Sequence, residues 1–150
     1  MCWRRRHDAT CEKTAIGEVR RFVRSCIHDV FRTHDAHELV GDAELVVSEL
    51  AANSVNADCD HVEVSVTVHD QWLEISVQDD AAGTPTMRPP TPHAACGRGL
   101  RIVAALSSDW GVIPVAGGGK TVWSRLAVPR DLPAQPRCRR PGPPSRPAAA

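Results

Sequence analysis

The fold is decided by residues 36–79, AHELVGDAELVVSELAANSVNADCDHVEVSVTVHDQWLEISVQD. In the first half of this stretch, apolar side chains return every three or four residues, which is the spacing of one helix face. They are Leu39, Ala43, Val46, Leu50 and Ala57. The pattern predicts a helix from about Ala36 to Asn56 that packs one side against a core.

The second half of the stretch alternates apolar and polar side chains, which is typical of a half-buried strand. The alternation covers residues 61–69, pauses at Asp70-Gln71 and resumes over residues 72–78. Two such runs joined by two residues predict a β-hairpin. Because only one face of this hairpin is apolar, we expect helices to cover that face.

The sequence on either side completes the same architecture. Residues 14–31 show a helical period, and residues 100–106 form a short apolar segment that predicts another helix. Residues 110–115 and 121–128 are predicted strands around a turn at Gly117-Gly118-Gly119. The resulting order predicts an α/β fold, a two-layer sandwich whose mostly antiparallel sheet is covered on one face by helices.

Length and composition divide the chain into three parts. At 150 residues it has the size of one domain, which we expect over residues 14–128. Residues 1–13 show no period and are expected to be loosely ordered. Residues 129–150 are rich in Pro and Arg and poor in large apolar side chains, so we expect a disordered tail.

The charge distribution bears on the partners. Residues 7–128 carry 17 acidic and 10 basic side chains, and therefore a net charge of −7, although the whole chain is neutral. An acidic domain argues against direct binding of nucleic acid. A nucleic-acid binder that uses its basic ends is a weaker alternative, which salt-dependent DNA binding through residues 129–150 would support.

Location and thiol chemistry follow from what the sequence contains. No apolar stretch approaches the roughly 18–20 residues of a membrane helix, so no membrane association is expected. The basic start of the chain is not followed by the apolar segment of a secretory signal, and we expect a cytoplasmic protein. The six cysteines include no CxxC pair, which favours free thiols.

Glu49 and Asn53 are the first candidate site residues. They lie four positions apart on the predicted second helix and therefore point in similar directions, away from the apolar stripe. A carboxylate can act as a general base, and an amide oxygen is a suitable ligand for Mg²⁺. The alternative is a solvated helix face.

Two further candidates lie where strands or loops meet helices. Asp79 ends a strand before a loop that contains Gly83, and a carboxylate there could accept a hydrogen bond from an adenine amino group. A turn is the ordinary alternative for an Asp-Asp pair. Gly97-Arg98-Gly99-Leu100 opens a helix, whose bare N–H groups and positive end favour phosphate, with Arg98 as a charged helper. A flexible loop end is the alternative.

The last candidate segment is Gly119-Lys120-Thr121. It is not a phosphate-binding P-loop, because that motif needs another glycine upstream and a helix after the Lys and Thr, whereas a strand follows here. A hairpin turn explains the glycines. Lys120 could still reach a phosphate, and Thr121 could help to hold an adenine.

Together, four segments resemble the histidine-kinase-like ATPases with a Bergerat-type ATP-binding fold, over about Gly17 to Val128. They occur in the family's order and approximate spacing. The segments are Glu49-Leu50-Ala51-Ala52-Asn53, Val77-Gln78-Asp79, Gly97-Arg98-Gly99-Leu100-Arg101-Ile102-Val103 and Gly119-Lys120-Thr121-Val122-Trp123. The chain is most similar to the small stand-alone branch that contains anti-sigma-factor serine kinases.

The resemblance implies a role for each matching residue. Asn53 would ligate Mg²⁺ between the ATP phosphates, and Glu49 would be the general base. Asp79 would accept from the adenine amino group, supported by Thr121. Gly97 and Gly99 would let the loop backbone wrap the phosphates near Arg98. Gly83, which would also contact the nucleotide, is the glycine kept from the family's glycine-rich run after the adenine aspartate. The implied partners are a sigma factor and a serine-bearing antagonist protein, and a homodimer is possible.

Three positions depart from the family pattern. Asn56 and Ala57 stand where a basic residue and a histidine are usual, and Ala81 stands where a glycine is expected. These departures weaken the case for phosphoryl transfer but not the case for nucleotide binding. The sequence therefore predicts an ATP-binding serine kinase of partner-switching regulation, with an inactive ATP- or partner-binding module of the same fold as the alternative.

Overall fold

The structure is a computed structural model, and it describes residues 3–31, 36–69, 71–82 and 98–132. These residues form five strands and three helices. In chain order they are β1 (Trp3–Thr10), α1 (Lys13–Phe31), α2 (His37–Asn56), β2 (His61–Val68), β3 (Trp72–Asp79), α3 (Gly99–Leu106), β4 (Asp109–Pro114) and β5 (Lys120–Ala127).

The five strands form one sheet in the order β1-β2-β3-β5-β4, and every neighbouring pair is antiparallel. Helices α1 and α2 pack against each other and against the sheet, and α3 packs against α2. The prediction of an α/β sandwich with an antiparallel sheet is therefore confirmed. The register places Asp79, the last residue of β3, directly opposite Lys120, the first residue of β5.

The core lies between the helices and one face of the sheet. Alternate residues of β2 and β3 point into it, as the period of two requires. The buried strand side chains are Val62, Val64, Val66, Val68, Leu73, Ile75 and Val77. The helices contribute a stripe from α1 and another from α2. Each fully buried Val, Leu or Ile contributes about 1.5–3 kcal/mol, so this face accounts for much of the stability of the domain.

Helix α2 ends where the backbone leaves the right-handed region. The N–H of Ala57 donates to the carbonyl oxygens of Asn53 and Ser54, and Asp58 follows with a φ of 57°. Asp is one of the few residues other than Gly that adopt this left-handed conformation readily. The turn directs the chain into β2 and leaves the last two turns of α2 beside the end of β3.

Strand β1 occupies the segment that was expected to be loosely ordered. It pairs with β2 along its whole length, from Trp3 opposite Val68 to Thr10 opposite His61. The alternation is hidden in the sequence because two of its helix-facing positions carry polar side chains. Arg5 forms an ion pair with Asp29 on α1, with 2.5 Å between Nη1 and Oδ2.

His7 is the second polar side chain on that face of β1. Its Nε2 lies 2.5 Å from Oε1 of Glu18 on α1, and its ring stacks on Phe22 with 5.1 Å between the centroids. Polar partners on α1 therefore replace the apolar contacts that a sequence pattern would reveal.

The other face of the sheet carries no helix in the described part of the chain. Trp72 and Trp123 flank the guanidinium of Arg125, whose Cζ lies 4.5 Å and 5.0 Å from the two rings. Nε of Arg125 also donates to Oε2 of Glu74 at 2.9 Å. Trp110, by contrast, lies on the helix-covered face of the sheet and packs against the core.

The domain continues slightly past the expected boundary at residue 128. The N–H of Val128 donates to the carbonyl oxygen of Gln71, and Leu132 is buried against the core. The rest of the predicted tail, from residue 133 onward, lies outside the described residues.

The prediction of free thiols is wrong for two cysteines. Cys11 and Cys59 form a disulfide with 5.6 Å between their Cα atoms. It joins the β1–α1 junction to the connection between α2 and β2, two points that sequence spacing alone does not bring together. Cys26 is a free thiol, and burial raises its pKa to about 12. Within the described residues, none of the helices has the length and apolar character needed to cross a membrane.

Candidate functional site

The candidate residues converge where the C-terminal half of α2 meets the end of β3, the start of β5 and the start of α3. Three contacts define this place. Ser54 on α2 and Lys120 on β5 both bond to Asp79 on β3. Glu49 on α2 lies against Gly99 at the start of α3. One polar cluster therefore joins α2 to β3 and β5, and Glu49 separately joins α2 to the start of α3.

Asp79 is the centre of a closed hydrogen-bond network. Its Oδ1 accepts from Nζ of Lys120 at 3.0 Å and from the backbone N–H of Ala81 at 3.2 Å. Its Oδ2 accepts from the hydroxyl of Ser54 at 2.5 Å. The side chains of Asp79 and Lys120 are 0% and 5% exposed. A buried ion pair is tolerated only when further hydrogen bonds compensate for lost hydration, and Ser54 and Ala81 supply them.

The strand pleat explains why Lys120, and not Thr121, reaches Asp79. Alternate residues of β5 face opposite sides of the sheet. Lys120 shares the helix-covered face with Asp79, whereas Thr121 lies on the other face, where its hydroxyl donates to Oε1 of Gln78 at 3.4 Å. The structure does not bring Thr121 to Asp79. It places Lys120, expected at a phosphate, on the carboxylate instead.

Gly119 allows this close approach of β5 to the end of β3. Its φ is 86°, in the region that favours glycine. A Cβ atom at this position would overlap the carbonyl oxygen of Asp79. The glycine turn thus sets the position from which Lys120 extends into the core.

Glu49 and Asn53 lie four residues apart on α2, and Glu49 faces the start of α3. A Cβ atom built on Gly99 would lie 2.6 Å from Oε2 of Glu49. The carboxylate is therefore held against the N-terminal backbone of α3, where the partial positive charge of a helix end favours an anion. Among the described residues, no side chain caps α3 at Arg98.

Asn53 carries an unsatisfied polar atom. Its Nδ2 is buried and is the one buried side-chain polar atom without a hydrogen-bond partner in the described part of the chain. Such an atom costs about 1–3 kcal/mol when nothing bonds to it. Rotation of the amide by 180° exchanges Nδ2 and Oδ1, so the same position can present a donor to a phosphate oxygen or an acceptor to a cation.

The remaining predicted residues differ in what they can contribute. Arg98 is exposed beside the start of α3 and is free to reach a ligand. Leu100 is buried in the core. Gly83 and Gly97 lie outside the described residues. Ala81, the expected glycine position, is buried and donates its N–H to Asp79.

Two residues with hydrogen-bonding roles at the end of β3 were missed by sequence reasoning. Ser54 is a hydroxyl four residues after Leu50 in the apolar stripe of α2, and this break in the stripe was the signal for it. Asp80 accepts at Oδ1 from the backbone N–H groups of Asp60 and His61, at 2.8 Å and 3.2 Å. These two bonds lower the pKa of the Asp80 carboxyl below its ordinary value, and the bond from His61 has the larger effect.

The resemblance implies ATP and Mg²⁺ as ligands, and the atoms described above show which parts of them this site could hold. The unpartnered amide of Asn53 fits a phosphate oxygen or its cation, and the exposed Arg98 at the start of α3 suits a phosphate nearby. Asp79 retains about one of its four lone-pair sites, on Oδ2, but its side chain is 0% exposed and bonds to Ser54, Ala81 and Lys120. The Asn53 end of the site therefore fits the nucleotide, whereas the Asp79 carboxylate is closed in this structure.

Comparison with known proteins agrees with this geometry. The family described as the histidine kinase-like ATPase domain matches residues 9–126, from the end of β1 to β5. No curated protein matches the chain. The matched span includes α2, the end of β3, the start of α3 and the glycine turn before β5, which are the elements that build the site. The chain belongs to the histidine kinase-like ATPase domain family.

Proposed function

We propose that this protein binds ATP with Mg²⁺ and acts as a protein serine kinase and anti-sigma factor in a partner-switching pathway. The observation that carries the proposal is the buried, unpartnered amide of Asn53 beside the carboxylate of Glu49 at the start of α3. An unsatisfied buried donor is unfavourable in the free protein, and a bound ligand that pairs with it removes that cost.

In this proposal different residues bind the cation, the phosphates and the adenine. Asn53 would hold the cation or a phosphate oxygen, and the first N–H groups of α3, with Arg98, would hold the phosphates. Asp79 would accept from the adenine amino group. When bound, Mg²⁺ would neutralise charge on the phosphate oxygens.

Glu49 would act on the acceptor. Its Oε2 would take the proton of a serine hydroxyl on the antagonist protein and so make the serine oxygen a better nucleophile. The second partner would be a sigma factor, which would compete with the antagonist for the same protein. In this proposal the protein acts in the cytoplasm and can form a homodimer.

A second candidate function is a module that binds ATP or a partner and transfers nothing. Two observations favour it. Asn56 is exposed and Ala57 has no polar side chain, so neither supplies the usual phosphate contact. In addition, Lys120 already occupies the carboxylate expected to read the base. The two candidates differ in phosphoryl transfer and not in nucleotide binding.

Nucleotide binding is tested by calorimetric titration of the full chain with ATP, with and without Mg²⁺. The parent protein is expected to bind in a Mg²⁺-dependent manner, and Asn53→Ala is expected to abolish that binding while it remains folded. Asn56→Ala is the matched control, since Asn56 is an exposed amide three residues further along α2. Unchanged affinity of Asn53→Ala would contradict the proposal.

Transfer is tested with Glu49→Gln, which keeps the shape of the side chain but removes the base. This variant should bind ATP like the parent and fail to phosphorylate a serine-bearing antagonist. If the parent binds ATP but transfers no phosphoryl group to such a partner, the binding module is the better description.

A further inference from the structure

The Cys11–Cys59 disulfide is a covalent bond that the proposed function does not use. It joins the residue after β1 to the connection between α2 and β2, with 5.6 Å between the two Cα atoms. Cys11 is half-buried, whereas Cys59 is 7% exposed. A thiolate that approaches from solvent therefore reaches the bond more readily from the side of Cys11.

The disulfide fixes a corner of the chain that several hydrogen bonds also hold. We call residues 57–61, which run from the end of α2 to the first residue of β2, the α2–β2 corner. The N–H of Cys11 donates to the carbonyl oxygen of Asp60 at 3.0 Å. The N–H groups of Asp60 and His61 donate to Oδ1 of Asp80 at 2.8 Å and 3.2 Å. The corner thus connects the end of β1 to the residue that follows β3.

The same corner ends the helix that carries Asn53. The N–H of Ala57 donates to the carbonyl oxygens of Asn53 and Ser54 and so closes the last turn of α2. Asp58 follows with a φ of 57°. For residues other than glycine this conformation is less favourable and persists where neighbouring contacts hold it. The disulfide supplies such a contact at the next residue, Cys59.

The place proposed for the protein bears on the chemistry of this bond. In the cytoplasm dithiols keep most cysteines reduced, and the disulfides that do form there are mostly transient or redox-sensing. The free thiol of Cys26 does not compete for the same chemistry. Burial raises its pKa to about 12, and the thiolate, not the thiol, is the reactive form.

We propose that a dithiol reduces the Cys11–Cys59 bond and that this reduction weakens the binding of ATP with Mg²⁺. The inference rests on the proposed function for its nucleotide and its location. A thiolate of the dithiol attacks Sγ of Cys11, and Cys59 leaves as a thiolate that takes a proton from water. The second thiol of the dithiol then attacks the mixed disulfide and releases Cys11. Two electrons and two protons have then passed from the dithiol to the cysteine pair.

Reduction acts on the nucleotide through the last turn of α2. Without the covalent bond, the α2–β2 corner keeps only its hydrogen bonds, and the turn beside it opens more often. Asn53 lies in that turn, so a fraction of the molecules no longer presents its amide to the phosphates or the cation. The affinity for ATP falls in proportion to the fraction of molecules in which the site is intact.

The experiment titrates the full chain with ATP and Mg²⁺ by calorimetry in three states: oxidised, reduced with dithiothreitol, and reoxidised after the reductant is removed. Alkylation and peptide mass mapping report whether Cys11 and Cys59 are bonded in each sample. We expect reduction to lower the affinity by about 5- to 150-fold, the usual size of a coupling between two sites, and reoxidation to restore it. Cys11→Ser/Cys59→Ser should bind ATP like the reduced parent and should not respond to dithiothreitol.

Amide hydrogen exchange of the parent provides a readout that needs neither ATP nor the serine variant. Reduction should speed exchange at the N–H groups of Asp60 and His61, which the corner holds on Asp80. The amide of Ile75, at the centre of β3, is the control for global unfolding and should stay protected. An equal loss of protection at Ile75 would show general unfolding and would overturn a switch that acts through the corner.

Thermodynamic linkage supplies a second, quantitative measurement. If reduction lowers the ATP affinity by some factor, ATP must disfavour reduction by the same factor. The ratio of reduced to oxidised dithiothreitol that half-reduces the Cys11–Cys59 bond should therefore rise by that factor when ATP with Mg²⁺ is saturating.

The outcomes separate this inference from the proposed function. Equal ATP affinity of the oxidised and reduced parent overturns the switch and leaves the proposed function standing. A bond that resists dithiothreitol in the folded protein also overturns the switch, because the disulfide would then be purely structural. Absence of ATP binding in both states contradicts the proposed function, and the inference falls with it.

Discussion

The two ends of the site differ in whether their buried polar groups have hydrogen-bond partners. At the closed end, defined by Ser54, Asp79 and Lys120, every charged group has partners and the network ties α2 to β3 and β5. At the open end, defined by Glu49, Asn53 and Gly99, a buried amide nitrogen has no partner among the described residues, and a carboxylate lies against the start of α3. Asn53 and Ser54, which are adjacent on α2, thus belong to an unsatisfied and a satisfied set.

This difference separates what polar residues do for the fold from what they do for a ligand. A satisfied buried network stabilises the arrangement of the elements it joins, and breaking it exposes uncompensated charge. An unsatisfied group costs stability in the free protein and is retained where a ligand uses it. Substitutions at the closed end should therefore damage the fold, while those at the open end should damage function and leave the fold intact.

The largest effect on the free energy of unfolding is expected for Lys120→Met. Removal of the ammonium leaves the Asp79 carboxylate buried without its charged partner, and the free energy of unfolding should fall by about 3–5 kcal/mol. Urea denaturation of parent and variant measures this difference.

The double variant Asp79→Asn/Lys120→Met is the control for that substitution. It removes both charges, so its loss of stability should be clearly smaller than the sum of the two single losses. Additive losses would show that the ion pair does not couple β3 to β5 and would remove the distinction between the two ends.

A smaller effect on the free energy of unfolding is expected from loss of the Cys11–Cys59 disulfide, which lies next to the closed end. Cys59 precedes Asp60, whose N–H donates to Asp80 directly after Asp79. Cys11→Ser/Cys59→Ser should lower the free energy of unfolding by about 2–4 kcal/mol, because the bond closes a loop with a sequence separation of 48.

Thiol reductant provides the matching control for the disulfide. It should destabilise the parent and leave the double serine variant unchanged in thermal or urea denaturation. If reductant has the same effect on both proteins, the stabilisation does not come from this bond.

Neighbouring residues of α2 allow the two ends to be compared directly. Ser54→Ala removes the hydroxyl that donates to Asp79 and should cost about 1–3 kcal/mol, as for other hydrogen bonds to a charged group. Asn53→Ala removes an unsatisfied donor and replaces Asn by a better helix former, so stability should be unchanged or higher by up to about 1 kcal/mol. Chemical denaturation of the two variants tests the opposite signs, and a comparable loss in both would contradict them.

The sequence revealed the parts of the fold that are local or apolar. Helix α2 and the β2–β3 hairpin follow from periods of 3.6 and 2, because their inward positions are apolar. Strand β1 did not, because Arg5 and His7 face α1 and find polar partners there. The apolar period of a sequence indicates side chains that pack against apolar groups. It does not indicate a strand whose inward side chains form ion pairs.

Motifs in the sequence name candidate site residues but not all of their pairings. They name Glu49, Asn53 and Asp79; in the structure Glu49 lies against Gly99, and Asp79 bonds to Ser54, the residue after Asn53. The bond between Lys120 and Asp79 spans a sequence separation of 41 and depends on the register of β3 with β5. A shift of one residue would have put Thr121 on the carboxylate instead. The disulfide was missed because the argument used cysteine spacing, which does not show how the fold brings Cys11 to Cys59.

The smallest effect on stability is expected for Gly99→Ala at the open end. The new Cβ would lie 2.6 Å from Oε2 of Glu49, so the carboxylate must move. This atom is the far end of a flexible side chain, and alanine favours a helix over glycine by about 1 kcal/mol, so the net change should stay within about 1 kcal/mol. The proposed phosphoryl transfer should nevertheless fall sharply, since Glu49 no longer lies where the serine hydroxyl would meet it.

Gly41→Ala on α2 isolates the helix contribution to that result. A Cβ at Gly41 would meet nothing within 4 Å, so this variant should gain about 0.5–1 kcal/mol from helix propensity alone and keep its activity. The difference between the two alanine variants in urea denaturation then measures what it costs to displace Glu49. A large loss of stability in Gly99→Ala would mean that Glu49 is held by the fold as firmly as Asp79 is, and the open end would be a second structural network with no group left for a ligand.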